Sequence, residues 1–138
     1  MTTAMHRLRK HADYQRVYAA SRKQFGKQLS YFFTLRQPLG PDGAPQRALP
    51  PDAARVGLTV SKGMAARAVD RNRIKRRMRE AVRKHLALLH SPVDVVLHPR
   101  RSVLDLDFAA LEREVATVFR SIQKIAERQA AARPPVVE

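Results

Sequence analysis

Between Arg71 and Arg79, six of nine residues are cationic: Arg71, Arg73, Lys75, Arg76, Arg77 and Arg79. A guanidinium is a planar, permanently charged fork that bonds phosphate oxygens in pairs and stacks on bases. The chemistry of such a run is recognition of a polyanion. On a helix, residues three or four apart share a face. Arg71, Lys75 and Arg79 then form one row continuing to Arg83, and Arg73, Arg76 and Arg77 a second beside it. Asn72 interrupts the run; its amide can bond a base edge, a ribose or a carbonyl, or serve as a helix-start residue. Upstream, Lys62 and Arg67 extend the basic segment.

Nothing comparable exists for covalent chemistry. The chain has no Cys, which removes thiol nucleophiles and Cys-ligated metal sites. His6, His11, His85, His90 and His98 are scattered, without metal-site spacing beside a carboxylate. His85 falls on an apolar stripe and reads as a core or boundary histidine. Asp105 and Asp107 precede a helical pattern and read as caps. There is no phosphate-binding glycine loop, and no cluster of carboxylates of the kind a two-metal nuclease needs. No metal site and no active site borne by the protein itself are expected.

The distribution of charge indicates which elements present these groups. The 138 residues carry a net charge of +15. Residues 1–36 hold +7 and residues 62–84 hold +8, while 37–61 and 85–138 are each neutral. Surfaces that need only solubility intersperse both signs. Concentration in two segments favours nucleic acid as the partner, with an anionic membrane as the weaker alternative. No apolar run reaches the ~18–20 residues of a membrane span. The N-terminus has no apolar segment of the signal-peptide kind, so a cytoplasmic protein is expected.

Periodicity supplies the frame. Tyr14, Val17 and Tyr18 recur at helical spacing over about residues 10–20. Leu29 to Leu35 is aromatic and β-branched, a strand. Residues 37–54, with five prolines and two glycines, form a long loop. Arg55 to Ser61 alternates Val56, Leu58 and Val60 as a further strand. The longest helix is expected over about 66–90, with Ile74, Met78, Ala81, Val82, His85, Leu86 and Leu89 on one stripe, stopped by Ser91 and Pro92. Val93 to Leu97 is a short buried strand. Phe108, Leu111, Val115, Phe119, Ile122 and Ile125 mark a last helix from near Asp107. These elements make an α+β or open α/β sandwich, one domain over 1–128 with a disordered tail at 129–138.

The segment Arg55 to Glu80 closely resembles the bacterial ribonuclease P protein family. Arg71-Asn72-Arg73, followed by Ile74-Lys75-Arg76, reads as the family's signature. The strand and its exit, Arg55 to Lys62, and the Ala68-Val69 pair match as well. The likeness extends more loosely over residues 7–125. It implies a single-domain α-β-β-β-α-β-α sandwich, with a central sheet and a basic, left-handed crossover helix. It also implies the protein subunit of an endoribonuclease whose RNA carries the catalysis with Mg²⁺, removing the 5′ leader of precursor tRNA. The partners implied are the catalytic RNA and precursor tRNA; neither a membrane nor a protein partner is required.

Carried over by position, Arg67, Arg71, Asn72, Arg73, Lys75, Arg76 and Arg79 face the catalytic RNA. Tyr14 and Tyr18 of the first helix, Phe33 of a facing strand, and Lys62 line the site of the single-stranded leader. Stacking on unpaired bases is tolerant of sequence, which suits a variable leader. Plain core packing is the competing reading of the three aromatics. Gly63 stands where many members carry a second basic residue. The alternative function is a general basic RNA- or ribosome-binding module with no role in cleavage. A membrane-surface helix would want aromatic residues on its apolar face, and residues 66–90 have none.

Overall fold

A computed structural model describes residues 6–8, 11–35 and 54–132. Its centre is two seven-residue strands, β3 (Leu29–Leu35) and β5 (Val93–Pro99), rich in the β-branched and aromatic residues that fit a pleated surface. They pair antiparallel from Leu29 opposite Pro99 to Leu35 opposite Val93. On the far side of β5 lies β4 (Arg55–Leu58), parallel to it, with Val56 opposite Val95 and Leu58 opposite Leu97. Two-residue strands complete the edges: β1 (His6–Arg7) beside β4, and β2 (Gln24–Phe25) beside β3. The sheet order is β1-β4-β5-β3-β2.

A parallel β4–β5 pair needs a crossover, and α2 (Ala68–His85) supplies it. Its stripe of Ile74, Met78, Ala81 and Val82 is buried with Leu29, Tyr31, Phe33, Val56, Val95 and Leu97 of the sheet. α3 (Phe108–Ala132) adds Leu111, Val115, Phe119 and Ile122 to the same core. The opposite face carries α1 (His11–Ala20), whose Val17 packs with Leu8 and Val96, and against Tyr14, Tyr18 and Phe32. The result is three layers: α1, sheet, α2 with α3.

The expected mixed sandwich is therefore present, with several boundaries displaced. α2 starts at Ala68 rather than 66, because Arg67 is extended and its carbonyl accepts from the Asp70 and Arg71 amides. It ends at His85, where the backbone leaves helical geometry and tightens to a 3₁₀ turn at Leu86–Leu88, well before Ser91. β4 stops at Leu58; one more bond, Thr59 N–H to Leu97 O, precedes the turn at Ser61. β5 runs to Pro99, two residues past Leu97. α3 continues through Ala132, so residues 129–132 are helical and not part of a tail. The proline-rich loop, apart from Ala54, and residues 133–138 lie outside the described residues.

Candidate nucleic-acid interface

With one side of α2 committed to the core, its other side must face water. Asn72, Arg73, Arg76 and Arg79 are exposed there, as is Arg67 at the helix start, and Lys75 is half-buried. Val69, Asn72, Lys75, Arg76 and Arg79 line a shallow hollow. Among the described residues, none of these cations lies within ion-pair distance of a carboxylate. By contrast, Arg83 holds Glu80 at 2.6 Å, which pulls the exposed Glu80 carboxyl below its ordinary range.

Not every arginine of the run joins this stripe. Arg71 donates to the carbonyls of Ala65 and Ala66 at 2.9 and 2.8 Å, closing the loop that leads into the helix. Arg77 turns towards α3, where it donates to the Leu106 carbonyl and lies 5.8 Å from the Phe108 ring centroid. The second row is thus divided: Arg73 and Arg76 face solvent, and Arg77 is a bracket between helices. Lys62 is exposed on the turn after β4, which the Met64 amide closes by donating to Ser61 Oγ at 3.1 Å. At Gly63 a Cβ would meet nothing closer than Ser61 Oγ at 3.8 Å, so the turn has room for a larger side chain.

The α1 face is aromatic. Tyr18 meets Phe32 edge-on at 4.9 Å between centroids, and its hydroxyl lies 2.9 Å from His98 Nε2. Phe32 and His98 are 5.5 Å apart. Burial, helped by the charge of Lys23, holds the His98 pKa below its ordinary value and favours a neutral imidazole. Tyr14 lies over β4 and donates to the Leu8 carbonyl at 3.2 Å. It can do so only because residue 57 is glycine: a Cβ there would sit 2.6 Å from the Tyr14 hydroxyl. Burial raises the Tyr14 pKa.

Phe33 is not part of this face. Successive side chains of a strand point to opposite sides; Phe32 packs under α1, so Phe33 turns to the α2–α3 core, 8% exposed and stacked on Tyr31. Phe32 holds the position expected of Phe33. Counting by two from Leu29 assigns Tyr31 and Phe33 to the main core, and that signal was available in the sequence. His98 joins the site by the same alternation from Val96. No local pattern announced the ion pair beneath α1. Arg55 grips the fully buried Asp94 through two bonds of 2.8 and 2.7 Å, and reaches Asp13 of α1 at 3.5 Å. The Asp94 bond raises the Arg55 pKa. Among the described residues, no three His, Asp or Glu side chains converge as a metal site, and no helix is long and apolar enough to cross a membrane.

A family model described as Ribonuclease P matches residues 3–123. A ribonuclease P protein component of Chromohalobacter salexigens is 39% identical over 124 residues, covering 89% of this chain and 86% of that protein. One from Bacillus velezensis is 33% identical over 114 residues, covering 83% and 86%. Among solved structures, the Staphylococcus aureus RNase P protein superposes with a TM-score of 0.65 at 24% identity, covering 89% of this chain and 99% of that one. The Thermotoga maritima RNase P protein gives 0.64 at 20%, covering 83% and 96%. At those identities the two structures bear on the fold.

Proposed function

The chain belongs to the ribonuclease P protein family, the protein subunit of a ribonucleoprotein that processes tRNA 5′ ends, and from that premise we propose how its two surfaces divide the work. The outer stripe of α2, with Arg67, Asn72, Arg73, Lys75, Arg76 and Arg79, holds the catalytic RNA. Arg71 supports it by fixing the loop before the helix. The α1 face, with Tyr14, Tyr18 and Phe32, takes the single-stranded leader of precursor tRNA, together with Lys62 on the turn after β4.

The observation that carries this reading is the cationic stripe, which has no carboxylate partner among the described residues. Exposed guanidinium groups held close together on a rigid helix repel one another, and a phosphate backbone relieves that repulsion. Hydrolysis belongs to the RNA with its Mg²⁺, the protein supplying position and charge. The chain acts in the cytoplasm, where tRNA precursors are processed.

The test is reconstitution with the catalytic RNA, comparing leader-bearing and leaderless tRNA. The expected outcome is tighter binding of the leader-bearing form only when protein is present, and faster cleavage at low Mg²⁺. Equal binding of both, with cleavage unchanged by protein, would leave only a general RNA-binding module.

A further inference from the structure

The α1 face does not stop at Tyr18 and His98. Phe25 on β2 is opposite Ser30 on β3, and Ser30 is opposite His98 on β5. Residues directly opposite in a ladder share a face. Phe25, Ser30 and His98 therefore form one cross-strand row beside the row Phe32, Val96 and Gly57. Ser30 is small and buried, but Phe25 is 71% exposed. Its ring has a cation beside it, the Lys23 ammonium 5.6 Å from the centroid, and Arg22 and Lys27 are exposed nearby in the chain. Phe25 also borders a groove against Ala110, Arg113 and Thr117 of α3, so it sits at the rim between the two faces.

Two strand spacings separate Phe25 from His98, on the order of 10 Å. Two or three stacked nucleotides at about 3.4 Å each bridge that gap. We propose that Phe25 is a stacking platform and Lys23 a phosphate contact for a further stretch of single-stranded RNA, carrying the leader path from the α1 cleft to the β2–β3 hairpin. The proposal rests on the leader reading of the α1 face given above. An aromatic ring with a flanking cation is how proteins hold unpaired bases without regard to sequence.

The experiment measures binding of precursor tRNAs, with leaders lengthened one nucleotide at a time, to the reconstituted holoenzyme. The proteins compared are wild type, Phe25→Ala and Phe25→Trp. Phe25→Ala matches wild type on leaderless and short-leader substrates. On longer leaders it is weaker by about 5- to 10-fold, the lower end of what one stacked base contributes. Phe25→Trp follows wild type. If Phe25→Ala tracks wild type at every length, or weakens leaderless tRNA equally, the platform is refuted. If wild type itself ignores leader length, and Tyr18→Ala is equally flat, it is the α1-face reading that fails.

Discussion

Replacing Arg73 and Arg76 together with Ala separates binding from folding. Both side chains are exposed, on the outer stripe of α2, with no carboxylate partner among the described residues. Their removal costs the fold no more than about 0.5 kcal/mol, the usual range for surface positions, and Ala is the better helix former. The binding effect is larger. Each lost phosphate contact removes about 0.7–0.9 from the slope of log K against log salt, so two contacts remove roughly 1.6. Between 50 and 200 mM salt, the advantage of wild type over the double variant therefore shrinks roughly ninefold.

Arg77→Ala is the control from the same run. It leaves the Leu106 carbonyl without its donor and uncovers Phe108. Because Arg77 Nε is itself buried without a partner among the described residues, part of that loss is offset, and about 1–2 kcal/mol of destabilisation is expected with little change in slope. Affinity for the catalytic RNA is titrated across a salt series at fixed Mg²⁺, and thermal melting is followed in parallel. Should the double variant melt as Arg77→Ala does and keep the wild-type slope, the division of the run into an outer stripe and a bracket is refuted.

Three other perturbations probe the α1 side. Asp94→Ala strands the Arg55 guanidinium and destabilises the fold by about 3–5 kcal/mol in chemical denaturation; a loss below 1 kcal/mol would mean that Asp13 alone suffices. Gly57→Ala forces Tyr14 off β4 at a cost of about 1–3 kcal/mol, read as a lower melting temperature and weaker leader binding, with binding to the catalytic RNA kept. His98 has a folded pKa below its unfolded value of about 6.5. The unfolded chain therefore takes up its proton first, and stability falls as pH drops below about 6.5. His98→Gln removes that share of the decline, and identical pH profiles for the two proteins would exclude the linkage.

What was legible in the sequence followed from how far each signal reaches. The stripe Ile74, Met78, Ala81 and Val82 repeats over several turns and located α2, because a long amphipathic helix has little freedom in which face it buries. Its ends depended on one residue each, Arg67 in extended geometry and His85 leaving the helix, and neither has a side-chain cap to mark it. The basic run was plain as composition, but the roles within it were not. Arg71 and Arg77 differ from Arg73 and Arg76 only in what the fold brings near them: two carbonyls before the helix, and the loop entering α3. Arg55 and Asp94 stand 39 positions apart, and only the parallel pairing of β4 with β5 makes them neighbours.

The sheet also explains how one small chain carries two strongly basic segments. Within the first basic segment α1 packs on one face of the sheet, and within the second α2 packs on the other. With each helix packed about 10 Å from the sheet, the two helices lie on the order of 20 Å apart. That is about twice the ~8–10 Å screening length at physiological salt, so charges carried on the two helices scarcely repel each other through solvent. β4 joins the two sides directly: Val56 packs into the α2–α3 core, while Arg55 and Gly57 on either side of it hold α1 through Asp13 and Tyr14. On the reading proposed above, both surfaces are anchored on β4, and Gly57→Ala, by loosening α1 alone, should weaken leader binding far more than binding of the catalytic RNA.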